Sequence, residues 1–203
     1  MKRNHELENL LKETPEAYYW TGFILADGSV SKEGPISISL SKKDEDFLNN
    51  FAYFIKSENC YDLRDYSTKS SVGSVRLAAC NKDFTLKFME KFDIDQNKTY
   101  RPPNLNWINN KNLFISLFAG YCDGDGSMQY AESKRTKTGA TAIRFHVHTS
   151  WFPFFIWMND CFLKYYSKKV GKPKVGKDGY LRWDIIDFSL IKQIKKDLRN
   201  SLH

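Results

Sequence analysis

The chain has 203 residues and a mass of 23.7 kDa, enough for one good core or two half-sized units packed together, but too little for two large independent domains. Hydrophobic residues make up 41% and aromatic residues 15%, which excludes a disordered chain. No stretch approaches the roughly 20 apolar residues of a membrane span, and no apolar signal core follows Met1, so we expect an intracellular, soluble protein.

The net charge of +7 is unevenly distributed along the chain. It arises from 31 Lys and Arg against 24 Asp and Glu. Residues 131–203 hold 15 of the basic and 6 of the acidic residues, a net charge of +9, which leaves 16 and 18, a net charge of −2, for residues 1–130. This excess favours a polyanionic partner, although a solvated basic surface that aids solubility would give the same composition.

The predicted elements of the first half begin after an N-terminal extension, residues 1–14. The first helix carries residues 20–29, which read Trp-Thr-Gly-Phe-Ile-Leu-Ala-Asp-Gly-Ser. Alternation over residues 36–40 then predicts a strand, and apolar residues at helical spacing predict a helix that begins at Asp44. The first half, residues 15–97, closes with a hairpin within 61–81 and a helix over 84–92.

The second half, residues 112–203, follows a linker over residues 98–111. Its first helix carries residues 118–127, which read Phe-Ala-Gly-Tyr-Cys-Asp-Gly-Asp-Gly-Ser. Residues 143–148 alternate as a strand, and Ser150 is positioned to cap the next helix. A hairpin over 174–186 and a helix over 190–198 complete this half.

Segments 20–29 and 118–127 are copies of one pattern, x-x-Gly-aromatic-x-x-small-Asp-Gly-Ser. Their aspartates, Asp27 and Asp125, are 98 residues apart, and the same order of elements follows each copy. A single Asp-Gly-Ser would be explained as a helix stop and turn. The duplication instead predicts an α+β fold with pseudo-twofold symmetry, in which each half is αββαββα.

Each copy places two small residues four positions apart on one face of its helix. These are Gly22 with Ala26 in the first copy and Gly120 with Gly124 in the second. Small residues at this spacing allow two helices to approach backbone to backbone. We therefore predict that the two motif helices form the central interface.

The glycine after each acid, Gly28 or Gly126, suits the left-handed position that ends a helix. Asp27 and Asp125 would then lie in the last turn, where the partial negative charge of the helix disfavours a carboxylate. A twofold axis that brings the two acids together adds their mutual repulsion. Bound Mg²⁺ would compensate this negative charge.

Both segments resemble the LAGLIDADG motif, which names a family of homing endonucleases and related intron maturases. The second copy is close to the motif and the first is looser, with Leu25 where the family often has a further acid and Trp20-Thr21 where it often has Leu-Ala. The position that resembles the metal-binding acid is intact in both copies, as Asp27 and Asp125. The resemblance extends from about Pro15 to the end of the chain.

The resemblance implies a saddle of two antiparallel sheets packed around two central motif helices and laid in the DNA major groove. It implies that Asp27 and Asp125, with the backbone of Ala26 and Gly124, hold Mg²⁺, for which Mn²⁺ or Ca²⁺ can substitute in crystals. It also implies that Lys98 is the basic residue beside the active site. Composition alone would explain Lys98 as an exposed linker lysine.

The strand pattern agrees with one polar and one core face. Arg144, His146 and His148 share one side of their strand, and apolar residues occupy the other. The expected partner is double-stranded DNA with a long, imperfectly palindromic target, bound by a monomer. The candidate DNA-contacting residues are Lys32, Ser37, Ser39, Lys42, Arg64, Arg76, Lys134, Arg144, His146, His148, Lys174 and Arg182.

Other interpretations remain open for several features. His146 and His148 could bind zinc but lack the third and fourth ligands of such a site. The lysines of residues 168–177 could contact phosphate or form a solvated loop. An intron maturase of the same fold and a DNA-binding regulator without chemistry are alternative functions, whereas an intein-embedded form is disfavoured because the chain begins with Met1 and ends without Asn.

Overall fold

The computed structural model describes residues 6–56, 73–131 and 140–201. The elements of the first half are α1 (Pro15–Ala26), β1 (Gly28–Val30), β2 (Pro35–Ser41), α2 (Glu45–Phe54), β3 (Ser74–Cys80) and α3 (Lys82–Lys91). The elements of the second half are α4 (Lys111–Asp125), β4 (Ser127–Ala131), β5 (Ala140–His148), α5 (Phe152–Tyr166), β6 (Lys174–Val175), β7 (Tyr180–Ile185) and α6 (Phe188–Ser201). The predicted α+β fold class is confirmed, and the two halves follow the same order of elements as far as the described residues extend.

Each half contributes one open antiparallel sheet. Sheet A has the strand order β1-β2-β3, and sheet B has the order β4-β5-β7-β6. Each sheet starts directly after a motif helix, with Gly28 paired to Ile38 in sheet A and Ser127 paired to Arg144 in sheet B. The hairpin predicted within residues 61–81 lies largely outside the described residues.

The apolar sides of the strands face the helices. Ile38 and Phe145 are fully buried, whereas their neighbours Ser39 and His146 are exposed. Helices α2 and α3 cover sheet A, while α5 and α6 cover sheet B. The other side of each sheet is therefore left as a polar, accessible surface. No helix in residues 6–56, 73–131 or 140–201 is both long and apolar enough to span a bilayer.

Helices α1 and α4 form the most extensive interface between any two elements. Both are apolar on nearly all sides, as expected for buried helices. A Cβ on Gly22 would overlap the Leu117 carbonyl oxygen, and a Cβ on Gly120 would overlap the Tyr19 carbonyl oxygen. The two helices thus touch backbone to backbone, and glycine is required at both crossing points.

We expect Gly120→Ala to lower the free energy of unfolding by about 2–3 kcal/mol, because the new methyl group meets backbone that cannot change rotamer. Chemical denaturation with two probes would measure the loss. Gly171→Ala is the matched control, since a Cβ there has no heavy atom within 4 Å. Equal stability of the two variants would contradict this close helix crossing.

The glycines that follow the two acids are not left-handed, so that prediction was wrong. Gly126 has φ −79° and ψ 137°, and Gly28 begins β1 without a positive φ. The reason for glycine is instead steric. A Cβ on Gly28 would lie 2.6 Å from the Ile24 Cα, and one on Gly126 would overlap the Cys122 carbonyl oxygen. Glycine lets each strand leave close against the last turn of its helix.

Candidate active site

The two motif aspartates lie at the same end of the α1–α4 pair. Asp27 is the C-cap of α1, and Asp125 is the last residue of α4. The helices still touch at this level, because a Cβ on Gly124 would overlap the Ala26 Cβ and lie 3.4 Å from the Asp27 backbone nitrogen. Both carboxylates are accessible to solvent. Two acids from distant parts of the chain are therefore neighbours on one surface.

Lys98 reaches the same place from the linker. Its Nζ donates to the backbone carbonyls of Leu25 and Ala26, both at 2.7 Å. These carbonyls belong to the last turn of α1, where a cation compensates the negative end of the helix. The Ala26 carbonyl, predicted as a metal ligand, thus accepts a hydrogen bond from Lys98 in this structure.

The charges of these three groups influence one another. Partial burial raises the pKa of the Asp27 carboxyl, and Lys98 offsets part of that rise. Partial burial and then the Asp27 charge raise the pKa of Asp125, against the opposing effects of Lys98 and Tyr121. Burial lowers the pKa of Lys98, which the two aspartates partly restore. One lysine therefore does not fully compensate the negative charge of the acid pair.

This donor set fits a divalent cation that also binds substrate. Among the described residues, no three His, Cys, Asp or Glu side chains cluster as a complete metal site. Mg²⁺, however, is usually held by one or two carboxylates together with waters and substrate phosphates. Asp27 and Asp125 supply those carboxylates, and Ala26 and Gly124 supply backbone next to them. The residues present therefore fit Mg²⁺ bound together with a phosphate.

A cavity of about 240 Å³ connects Asp125 and the last turn of α1 with the polar face of sheet B. Its lining includes Lys98, Asp125, His146, His148, Trp151 and Tyr180. His146 stacks on Tyr180 with ring centroids 5.1 Å apart, and His148 meets Tyr100 edge to face at 5.0 Å. The two histidines thus line the approach to Asp125.

The polar face of sheet B presents two arginines held by one acid. Arg144 Nε donates to Asp184 Oδ1 at 2.8 Å, and Arg182 Nε donates to Asp184 Oδ2 at 2.8 Å. These charge-assisted bonds keep the pKa of Asp184 below its ordinary value despite partial burial. Lys174 is opposite Arg182 in the neighbouring strand and is exposed.

The polar face of sheet A has fewer charges. Ser37, predicted as an outward DNA contact, is instead only 4% exposed and accepts a hydrogen bond from Arg76 Nη2 at 3.0 Å. Ser39 is exposed opposite Arg76. Lys32 is in the β1–β2 turn, and Lys42 follows β2; both are exposed. The predicted contacts Arg64 and Lys134 lie outside the described residues.

Several residues of this region were not found from the sequence. Ser150 was expected to cap a helix, but its Oγ donates to the Thr99 carbonyl at 2.9 Å, and Trp151 Nε1 donates to the same oxygen at 3.1 Å. Asp184 and the bond from Tyr19 Oη to Asp123 Oδ2, at 2.6 Å, also went unnoticed. Asp184 follows Arg182 by two residues on β7 and lies opposite Arg144 on β5, and knowledge of the strand pairing would have revealed the contact with Arg144.

Comparisons with known proteins agree with this architecture. Residues 14–93 match the family described as a LAGLIDADG-like domain. The LAGLIDADG meganuclease I-CpaMI bound to uncleaved DNA is 13% identical with a TM-score of 0.58, covering 94% of this chain and 85% of its own. The homing endonuclease I-LtrWI bound to target DNA is 13% identical with a TM-score of 0.56, covering 96% and 84%.

I-SmaMI bound to uncleaved DNA in the presence of calcium ions is 16% identical with a TM-score of 0.52, covering 93% of this chain and 85% of its own. No curated protein matches the chain in sequence. At these identities the solved structures establish a shared fold, which extends across both halves. Residues 14–93 therefore match a LAGLIDADG-like domain, and the chain as a whole shares the fold of LAGLIDADG endonuclease structures.

Proposed function

We propose that the protein is a site-specific DNA endonuclease that cuts both strands of a double-stranded target with Mg²⁺ held between Asp27 and Asp125. One observation carries the proposal: Asp27 and Asp125 end two touching motif helices beside Lys98, and Asp125 and Lys98 line a cavity that opens onto the polar face of sheet B. The similar structures I-CpaMI and I-LtrWI are described as bound to DNA, which supports this partner.

The polar faces of the two sheets are the proposed DNA-binding surface. Antiparallel strands with outward polar side chains can read base edges in the major groove. Asp184 orients Arg144 and Arg182, and an oriented guanidinium can donate two hydrogen bonds to guanine O6 and N7. Ser39 and Arg76 would make the corresponding contacts in sheet A, with Arg76 held by the buried Ser37. Lys32, Lys42, Lys174 and the two histidines complete the surface.

The residues of the acid pair have separate roles in this proposal. When bound, Mg²⁺ activates water and neutralises charge on the scissile phosphate and the leaving oxygen. Asp27 and Asp125 bind that ion, supported by the backbone of Ala26 and Gly124. Lys98 places a positive charge where negative charge develops on phosphate in the transition state.

The two halves are related but not identical, which favours a monomer with an imperfectly palindromic target. Ser37 and Ser39 in sheet A stand where Arg144 and His146 stand in sheet B. Unlike side chains at related positions read unlike bases, so the two half-sites would differ.

The decisive experiment incubates the protein with a randomised duplex library, with and without Mg²⁺, and sequences the cut ends. We expect Mg²⁺-dependent double-strand breaks at one long site. Sequence-specific DNA binding without cutting would instead support a regulator. Tight binding of structured RNA without DNA cutting would support a maturase.

DNA binding should weaken steeply as salt rises, because basic residues displace counterions from phosphates. Lys172, Lys174 and Lys177 are exposed and form no ion pair within the described part of the chain, whereas Lys168 pairs with Asp187 at 3.3 Å. We expect the triple change of Lys172, Lys174 and Lys177 to Ala to reduce the slope of log affinity against log salt by up to about 0.9 per lysine.

The control for this measurement changes three exposed lysines on helices that cover the other side of the sheets, Lys82, Lys87 and Lys192, to Ala. This triple variant has the same loss of net charge. If both variants change the salt slope equally, net charge alone explains binding and the lysines around β6 are merely solvated.

A further inference from the structure

The linker beside Lys98 is attached to the second half through one backbone oxygen. The Thr99 carbonyl accepts Ser150 Oγ at 2.9 Å and Trp151 Nε1 at 3.1 Å. Both donors belong to the 3-10 turn Thr149–Trp151 that follows β5. Because Thr99 is the residue after Lys98, this double hydrogen bond fixes the backbone from which the Lys98 side chain reaches α1.

The same indole supports the other charged group of the site. The Trp151 ring stacks on Tyr121, with centroids 5.5 Å apart and an interplanar angle of 29°. Tyr121 is fully buried one helical turn before Asp125, and further ring contacts with Phe145 and Phe154 hold it in place. Its buried hydroxyl forms no hydrogen bond with the described residues, but it lies near enough to Asp125 to lower the pKa of that carboxyl.

The corresponding positions of the first half, which the structure describes, lack this support. In the first motif Phe23 stands at the position of Tyr121, so no hydroxyl is available to Asp27. After β2, Asp44 stands where Trp151 stands after β5, and Asp44 is exposed. The contacts that join a motif acid to the lysine segment are therefore present on the Asp125 side and absent from these positions on the Asp27 side.

We propose that Trp151 is a positioning residue that holds Lys98, through the Thr99 carbonyl, and Asp125, through Tyr121, in fixed relation to each other. The inference rests on the proposed function and adds to it a residue that touches neither DNA nor metal. It also predicts that the two DNA strands are cut at unequal rates, because the contacts of Trp151 with Thr99 and Tyr121 support only Asp125.

The test compares Trp151→Phe with the wild-type protein in single-turnover cleavage followed separately on each strand. Phe keeps a ring against Tyr121 but removes the Nε1–H donor. Loss of one hydrogen bond that aligns Lys98 should lower the cleavage rate constant of one strand about 3- to 10-fold and leave DNA affinity within about 2-fold. Ser150→Ala removes the second donor without changing the core and should act in the same direction.

Trp183→Phe is the matched control. Trp183 is also buried, and its Nε1 donates to a backbone carbonyl, that of Gly171, at 2.8 Å, away from the acid pair. It should leave the ratio of the two strand rates unchanged. A second measurement needs no metal: hydrogen exchange at the Tyr100 and Arg101 amides, which both bond to the Asn97 carbonyl, should accelerate in Trp151→Phe and not in Trp183→Phe.

The outcomes separate the two proposals. Cleavage and linker exchange that are unchanged in both Trp151→Phe and Ser150→Ala would overturn the positioning role while leaving the proposed nuclease intact. Equal effects of Trp151→Phe and Trp183→Phe would also overturn it, since both would then act through general stability. A wild-type protein that cuts no duplex with Mg²⁺ would overturn the proposed function, and with it this inference.

Discussion

Replacement of either Asp27 or Asp125 by Asn is expected to abolish double-strand cleavage while leaving DNA affinity within a few-fold of wild type. Each carboxylate lies at a helix end beside the other acid, and neither belongs to the strand residues proposed to contact bases. Asn keeps the shape but cannot supply the negative charge that Mg²⁺ requires. Cleavage assays on supercoiled and linear target, with binding measured without metal, separate the two effects.

The same substitutions should not destabilise the metal-free fold. Burial raises the pKa of both carboxyls, so the folded state disfavours their charged forms. This unfavourable contribution is absent at acid pH and develops as pH rises from the ordinary Asp pKa, about 3.9, through the raised values. At neutral pH the Asn variants should therefore be as stable as wild type or more stable, which thermal unfolding without metal would show.

Asp123→Asn is the control, because Asp123 lies on α4 together with Asp125. Asp123 has a raised pKa from burial, but its carboxylate accepts Tyr19 Oη at 2.6 Å rather than facing Lys98. It should keep double-strand cleavage within a few-fold. Full double-strand cutting by Asp27→Asn or Asp125→Asn would refute a shared metal between the two motif acids.

Lys98→Met should bind target DNA almost normally, lose at least about 10-fold in single-turnover cleavage, and accumulate nicked duplex. The Lys98 ammonium group interacts electrostatically with both acids. A charge that acts mainly in the transition state affects the rate more than the affinity. The two hydrogen bonds to the Thr99 carbonyl hold Lys98 relative to Asp125 only, so Lys98 assists the two DNA strands unequally. This is why nicked duplex should accumulate.

Lys91→Met separates chemistry from helix capping. Lys91 is also half-buried with a pKa lowered by burial, and its Nζ donates to the Leu11 carbonyl at 2.6 Å, far from the acid pair. If Lys98 only caps α1, both variants should lose a similar stability, roughly 1 kcal/mol, with unchanged cleavage rates in folded protein. Equal losses of stability with unchanged cleavage would show that Lys98 only stabilises the fold.

The sequence predicted the duplicated fold because its main signals are local. The Gly22–Ala26 and Gly120–Gly124 spacings indicated the helix crossing, and strand alternation separated polar from core faces before any partner was known. The motif also indicated which acids end the two helices. These features depend only on residues near each other in the chain.

Features that depend on distant pairing were missed. Serine often caps helices, which is why Ser150 was expected to do so. In the structure its hydroxyl instead donates to the Thr99 carbonyl, 51 residues away in the chain. The glycine after each acid was assigned a left-handed turn, when the actual requirement is contact with the preceding helical turn. Local propensity indicates which caps and turns a residue can form, but contacts with distant parts of the chain decide which of them it forms.

The crossing of α1 and α4 has a consequence for protein synthesis. Ala26 and Asp125 are separated by nearly half the chain, so a ribosome working at roughly 5–20 residues per second needs about 5–20 s to deliver the second helix after the first. During that interval the nascent chain displays a helix that is apolar on nearly every side without its partner. The yield of active protein should therefore depend on translation speed between residues 27 and 125 and on chaperones that bind the unpartnered helix. These factors should affect the yield more strongly than the stability of the folded protein does.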